Sequence, residues 1–128
     1  MAESRLTELE LMDVALRHVT VPNASWEQVT ARRVEIVDCQ AVGLQLELVK
    51  AEDLYCEGCR LDYARLAVEQ HRGVIVFHRC TFKEAVLSGD LSGIVFSECE
   101  FSGAEFQARR AASCDMTRSR LVGASGLL

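Results

Sequence analysis

From Leu6 onward, apolar side chains recur alternately three and two residues apart. Leu6, Leu9, Leu11, Val14, Leu16, Val19 and Val21 open a series that runs without a polar interruption to Leu66. A helix sets core residues three and four apart and a strand sets them two apart, so a three-plus-two step fits neither and predicts a turn of the chain every five residues. Under this reading Val49 and Ala51 point inward like their predecessors, and the alternation breaks at Glu69 and His71. It resumes one residue late at Ile75 and Phe77, after an insertion near Val74, and loses one residue near Ser88 before Gly89 and Leu91.

A longer period lies on top of the first. Cys39, Cys59, Cys80 and Cys99 are separated by 20, 21 and 19 residues, with Val19 before them and Ser119 after them in the same column. Four pentapeptides therefore complete one coil. Stacked at the strand spacing of roughly 4.8 Å, about six coils give a rod on the order of 29 Å long. Each coil has four sides. Trp26 and Leu46 mark the first and His71 the second, where its column otherwise holds Leu11, Ala31, Ala51, Leu91 and Ala111; Phe77 and Phe96 mark the third, and Leu61, Phe82 and Phe101 sit beside the cysteines on the fourth. The predicted core ladder is Cys39, Cys59, Cys80, Cys99, Leu61, Phe82, Phe101, Phe77 and Phe96.

Several segments match a stricter repeat of a small residue, a polar one, Leu or Phe, and two variable positions: Cys59-Arg60-Leu61-Asp62-Tyr63, Ala64-Arg65-Leu66-Ala67-Val68, Gly89-Asp90-Leu91-Ser92-Gly93, Cys99-Glu100-Phe101-Ser102-Gly103 and Ala104-Glu105-Phe106-Gln107-Ala108. In these segments the chain resembles the pentapeptide-repeat family. The resemblance implies an all-β, right-handed, four-sided parallel β-helix, here one domain over 1–128 with repeats over about 4–123 and a tail at 124–128. The first half departs from the family pattern, because Leu9, Val14, Val29, Val34, Leu44 and Leu54 are bulky where the repeat prefers a small side chain. Wider or more strand-like coils are expected there.

The period changes how composition reads. Apolar residues make up 49% of the 128-residue chain, in keeping with two inward positions in every five. A single compact unit without a bilayer-spanning run is expected. Six cysteines without a leader pattern over 1–16 suggest a reducing, cytoplasmic setting. Cys56-Glu57-Gly58-Cys59 alone would suggest a redox pair or half a zinc site, but both cysteines are inward in the repeat frame. A ladder of thiols at coil spacing does not converge on one ion, so packing is the expected role and no metal or cofactor is expected. Pro22 suits a corner, and Arg109-Arg110 interrupts the second-side column.

His71 is the unusual inward position. Glu69, His71 and Arg72 are candidates for a local recognition feature beside the insertion, although a tolerated irregularity with His71 turned outward is the expected reading. No nucleophile, second base or phosphate loop accompanies this histidine, so catalysis is not expected.

A regular rod displays surface rather than a concavity, which points to a non-enzymatic scaffold for a protein partner. The resemblance also implies an alternative: the family's best-known members imitate DNA and protect DNA gyrase from quinolones. The net charge of −5 is spread over all four sides. The nearest to an acidic stripe is Glu35, Asp38, Glu57, Glu98 and Asp115 on the third side, opposed by Arg17, Arg79 and Arg118. Direct nucleic-acid and membrane binding are not expected of such a surface. Leu6, Leu9 and Leu11 belong either to the first coil or to a short capping helix. The open ends of such a rod, with Leu127 and Leu128 near one of them, make an end-to-end homodimer an expectation.

Overall fold

The computed structural model describes residues 5–21, 23–110, 115, 116, 119 and 123. Pro22, Cys114, Arg118, Leu121 and the 124–128 tail lie outside them, as do the side chains of Arg109 and Arg110. Among the described residues nine strands form one sheet, and every pairing in it is parallel: β1 (Arg5–Thr7), β2 (Glu10–Arg17), β3 (Ser25–Val37), β4 (Gln45–Glu57), β5 (Arg65–Val68), β6 (His71–His78), β7 (Val86–Asp90), β8 (Val95–Ser97) and β9 (Glu105–Arg110). No helix occurs among the described residues. Parallel partners lie one coil apart, as in Leu6 opposite Trp26, Leu46 opposite Leu66 and Leu87 opposite Phe106. The chain is thus a parallel β-helix of about five turns over the described residues. Leu6, Leu9 and Leu11 belong to its first coil, not to a capping helix.

The turn every five residues has a backbone cause. Glu8, Asp13, His18, Asn23, Gln28, Arg33, Asp38 and Gly43 all have φ between 51° and 76°, and Asp53, Gly58 and Tyr63 continue the series. A left-handed residue every fifth position redirects the strand by one side and leaves two inward positions between corners. Such a φ costs a non-glycine residue about 1–2 kcal/mol. The cost is met by coil-to-coil hydrogen bonds that continue through the corners, such as His18 N to Val37 O at 3.1 Å and Asp38 N to Glu57 O at 2.9 Å. Because these bonds persist, β3 and β4 each run 13 residues through two corners without a break.

The core runs along the axis. Phe82, Phe96 and Phe101 are fully buried. Phe77 stacks on Phe96 with ring centroids 5.3 Å apart, Phe82 stacks on Phe101 at 5.0 Å, and the two stacks meet edge to face, with 5.3 Å between Phe96 and Phe101. Offset and edge-on contacts of this kind add to area burial. Towards the amino-terminal end Leu61 is only half-buried, packing against a smaller cluster of Ala24, Ala41, Leu44 and Ala64. There the bulkier coils leave an apolar void of about 60 Å³ beside Trp26, Leu46 and Leu61.

One corner departs from the period. After Trp26 the left-handed residue is Gln28 and the inward one Val29, but in the next two coils Leu48 and Val68 are the buried residues and neither has a positive φ. Val49, expected inward, is half-exposed, and the break expected at Glu69 is filled one position earlier by Val68. The first side is one residue shorter in these coils and the corner after it one residue longer. The later insertion falls at Gly73 and Val74, between the pairs Glu52–Arg72 and Leu54–Ile75. Compensation falls after Gly89: this residue pairs with Val68, whereas Val95 already pairs with Val76.

Gly89 has φ +91°, and a Cβ there would overlap the backbone of Val68. Gly93 has φ +71° with open space at its Cβ position. Gly93→Ala is therefore expected to cost about 1 kcal/mol from backbone strain alone. Gly89→Ala forces two coils apart and should cost at least ~3 kcal/mol; equal urea midpoints for the two variants would contradict this account.

Candidate functional site

The irregular corner builds the main feature of the surface. With Val49 and Lys50 pushed out of one coil, Glu69 and Gln70 out of the next, and the chain stepping back at Asp90, a groove of about 980 Å³ opens on the second side. Its walls carry Arg32, Lys50, Glu52, Glu69, Arg72 and Asp90. Glu69, His71 and Arg72, singled out in the sequence, are thus brought together with Arg32, Lys50 and Glu52 of the two preceding coils. The bulged corner keeps its backbone bonds, Glu69 N to Leu48 O at 2.8 Å and Ala51 N to Gln70 O at 3.0 Å, so the groove is held rigidly. Arg32 Nε lies 3.4 Å from Glu52 Oε1, and Val74 N donates to Asp53 Oδ1 at 3.0 Å where the insertion leaves the coil.

His71 pairs with Ala51 in β4, and its Nε2 is buried without a hydrogen-bond partner. The ring is turned in, contrary to the outward orientation expected from the sequence. The column offers it only apolar neighbours, Ala51 on one coil and Leu91 on the next, which explains the missing partner.

The cysteines have a role that spacing did not reveal. Cys99 Sγ donates to Phe77 O of the preceding coil at 3.1 Å, Cys59 to Ile36 O at 3.4 Å, Cys39 to Leu16 O at 3.6 Å and Cys80 to Cys56 O at 3.7 Å. Ser119 Oγ makes the same bond to Phe96 O at 3.0 Å. At this corner each coil leaves an inward carbonyl, and the next coil covers it with a side chain small enough to fit and able to donate. Each thiol also lies near the carbonyl two residues before it, as in Cys99 to Ser97 O at 3.5 Å. Sulfur donates weakly, but an unmet buried carbonyl is costly. Burial pushes the Cys56 thiol well above its usual range, and Cys80 is raised because its proton is held against Cys59 and Cys99 and because it too is buried. No group of three or more His, Cys, Asp or Glu able to hold a metal ion occurs among the described residues.

Glu35, Asp38, Glu57, Glu98 and Asp115 lie along the third side and its corner, interleaved with the basic side chains of Arg17, His78 and Arg79. Arg17 Nη2 donates to Glu35 at 2.8 Å, Arg79 to Glu57 at 3.3 Å, and His78 Nε2 is 4.0 Å from Glu98. Tyr55 donates to Glu57 at 2.6 Å, which holds that carboxyl below its usual range and pushes the phenol up to about 12. Charge along this side alternates instead of forming a continuous acidic edge. No helix among the described residues is long and apolar enough to cross a membrane. Comparison of the chain with protein-family models and with curated proteins finds no match in either.

Two outcomes follow. Replacing the buried, unpartnered imidazole by the residue its column favours, in His71→Leu, should raise stability by about 1 kcal/mol in urea denaturation; a loss would mean that the ring has a partner. For Cys56 the folded thiol holds its proton above the unfolded value of about 8.5, so its contribution is complete below that pH and lost above it. Between pH 8.5 and 10 the stability of Cys56→Ala should fall less steeply than that of the parent, by up to about 1.4 kcal/mol per pH unit. Parallel pH profiles would contradict the burial of this thiol.

Proposed function

We propose that this chain is a pentapeptide-repeat protein acting as a non-enzymatic cytoplasmic scaffold, and that it holds a protein partner in the groove on its second side. The five-residue alternation of inward residues, with left-handed corners at the same interval, supports the family reading. The groove carries the functional reading. The other sides repeat similar positions coil after coil, whereas the second side has a local shape formed by Lys50, Glu69, Gln70 and Arg72. Basic Arg32, Lys50 and Arg72 line it together with acidic Glu52, Glu69 and Asp90, an arrangement suited to a segment bearing both charges rather than to a polyanion. Buried thiols that serve as hydrogen-bond donors must stay reduced, which supports a reducing compartment. DNA imitation is not favoured, since Arg17, His78 and Arg79 punctuate the acidic side.

Crosslinking capture with the parent chain, Lys50→Glu, Arg72→Glu and the fourth-side variant Arg60→Glu tests the proposal. A partner recovered by the parent and by Arg60→Glu, but at least about tenfold less by the two groove variants, is the expected result. Equal recovery by all four chains would overturn the assignment to the groove. Protection of gyrase supercoiling against a quinolone, unaffected by Lys50→Glu, would move the function to the acidic side.

A further inference from the structure

The amino-terminal coil is an open end among the described residues. β1 and β2 pair only with β3, so their outer edges carry a row of unpaired backbone donors and acceptors. Their inward residues lack the cover that the rest of the core has. Leu6 is 44% exposed, and Leu9, Leu11, Val14 and Val19 are half-exposed, while Val29, Ala31, Val34 and Cys39, one coil on, are buried. Met12, on the outer surface of β2, is 49% exposed. Such an edge is a template for another strand.

We infer that this coil stacks head to head on the same coil of a second copy, through a two-fold axis passing by the corner at Asp13. A two-fold axis perpendicular to the rod reverses the circulation of the chain, so strands meet antiparallel, and the contact is self-complementary. With the axis at Asp13, β2 meets the second copy's β2 in a register that sets the central inward residues of neighbouring sides against each other, while Leu9, Val14 and Val19 fall opposite the corner residues His18, Asp13 and Glu8. Leu11 lies opposite Leu16 and Leu6 opposite Val21, all inward positions of the sequence period. On the outer surface Met12 lies opposite Ala15, Thr7 opposite Thr20, and Glu10 opposite Arg17, each of them exposed in the single chain. Symmetry repeats the Glu10–Arg17 pair on the other half of the junction.

Neighbouring registers lack this agreement. An axis through the middle of the second side sets Leu11 against itself and Arg5 against the second copy's Arg17, which is repulsive. An axis through the middle of the third side sets Arg17 against Ala15 and brings no opposite charges together. Arg17 also donates to Glu35 of the coil beneath at 2.8 Å, on the side away from the junction, so the junction pair shares its guanidinium with that bond. Cross-strand pairs of opposite charge and paired threonines are favourable in antiparallel ladders, and like charges directly opposite are not.

Sedimentation equilibrium on the full chain, Glu10→Arg and Arg17→Glu tests this register, with far-UV circular dichroism confirming that each variant is folded. The parent is expected to dimerise. Either charge reversal should weaken the dimer at least about tenfold, because both symmetric junction pairs become repulsive. An equimolar mixture of the two variants should recover it, since each junction then again holds opposite charges. A parent that is monomeric at about 100 µM, dimers unaffected by both reversals, or a mixture of folded variants that stays monomeric would each overturn the inference. If a reversal does not fold, Glu10→Gln and Arg17→Gln supply the reading: their dimers should depend less on salt than the parent's, and an unchanged dependence counts against the pair.

Discussion

Continuous backbone pairing between successive coils is the constraint on which the rest of the structure depends. Parallel strands one coil apart bond through the corners as well as along the sides, and this allows a left-handed residue at nearly every fifth position. A corner residue in isolation is unfavourable. Among the described residues, twelve that are not glycine adopt that φ, Arg33, Tyr63 and Glu84 among them, side chains with no local preference for it beyond what the stacked neighbours impose. Short polar side chains ease the task at some corners, where Asn23 and Asp38 reach over the glycine at the same corner of the next coil.

Given that frame, each column along the rod has its own demand. The corner between the third and fourth sides leaves a carbonyl inside and selects a small donor, which Cys59, Cys80 and Cys99 supply and Ser119 replaces. Phe77 and Phe82 begin two aromatic stacks that fill the axis where the cysteines leave room. A void and half-buried side chains gather at the other end, where bulky Leu44 stands at the position filled later by Ala85 and Ala104. Packing is thus graded along one axis, in the manner of repeat proteins whose units contact only their neighbours.

Much of this was legible in the pattern of side chains. The three-plus-two alternation located the core phenylalanines, the cysteine column and the insertion beside Val74, because inward positions in a solenoid are sampled in strict order along the chain. The corner at Leu48 and Val68 was not legible. Leu48 and Val49 are both apolar, and which of them turns inward depends on the register of the coil beneath. The orientation of His71 was hidden for the same reason, since only its alignment with Ala51 shows that the ring lies inside. The groove joins Arg32, Lys50 and Arg72, residues far apart in sequence that become neighbours only by stacking.

The sequence by itself determined the period, the number of sides, the identity of the core columns and the absence of a single-sign surface, since each follows from which residue types recur at which interval. The tertiary structure decided where the period is broken, which carbonyls the thiols cover, and how the charges of different coils pair. Those depend on distances between coils, and a coil learns its neighbour's register only when the backbone bonds between them have formed.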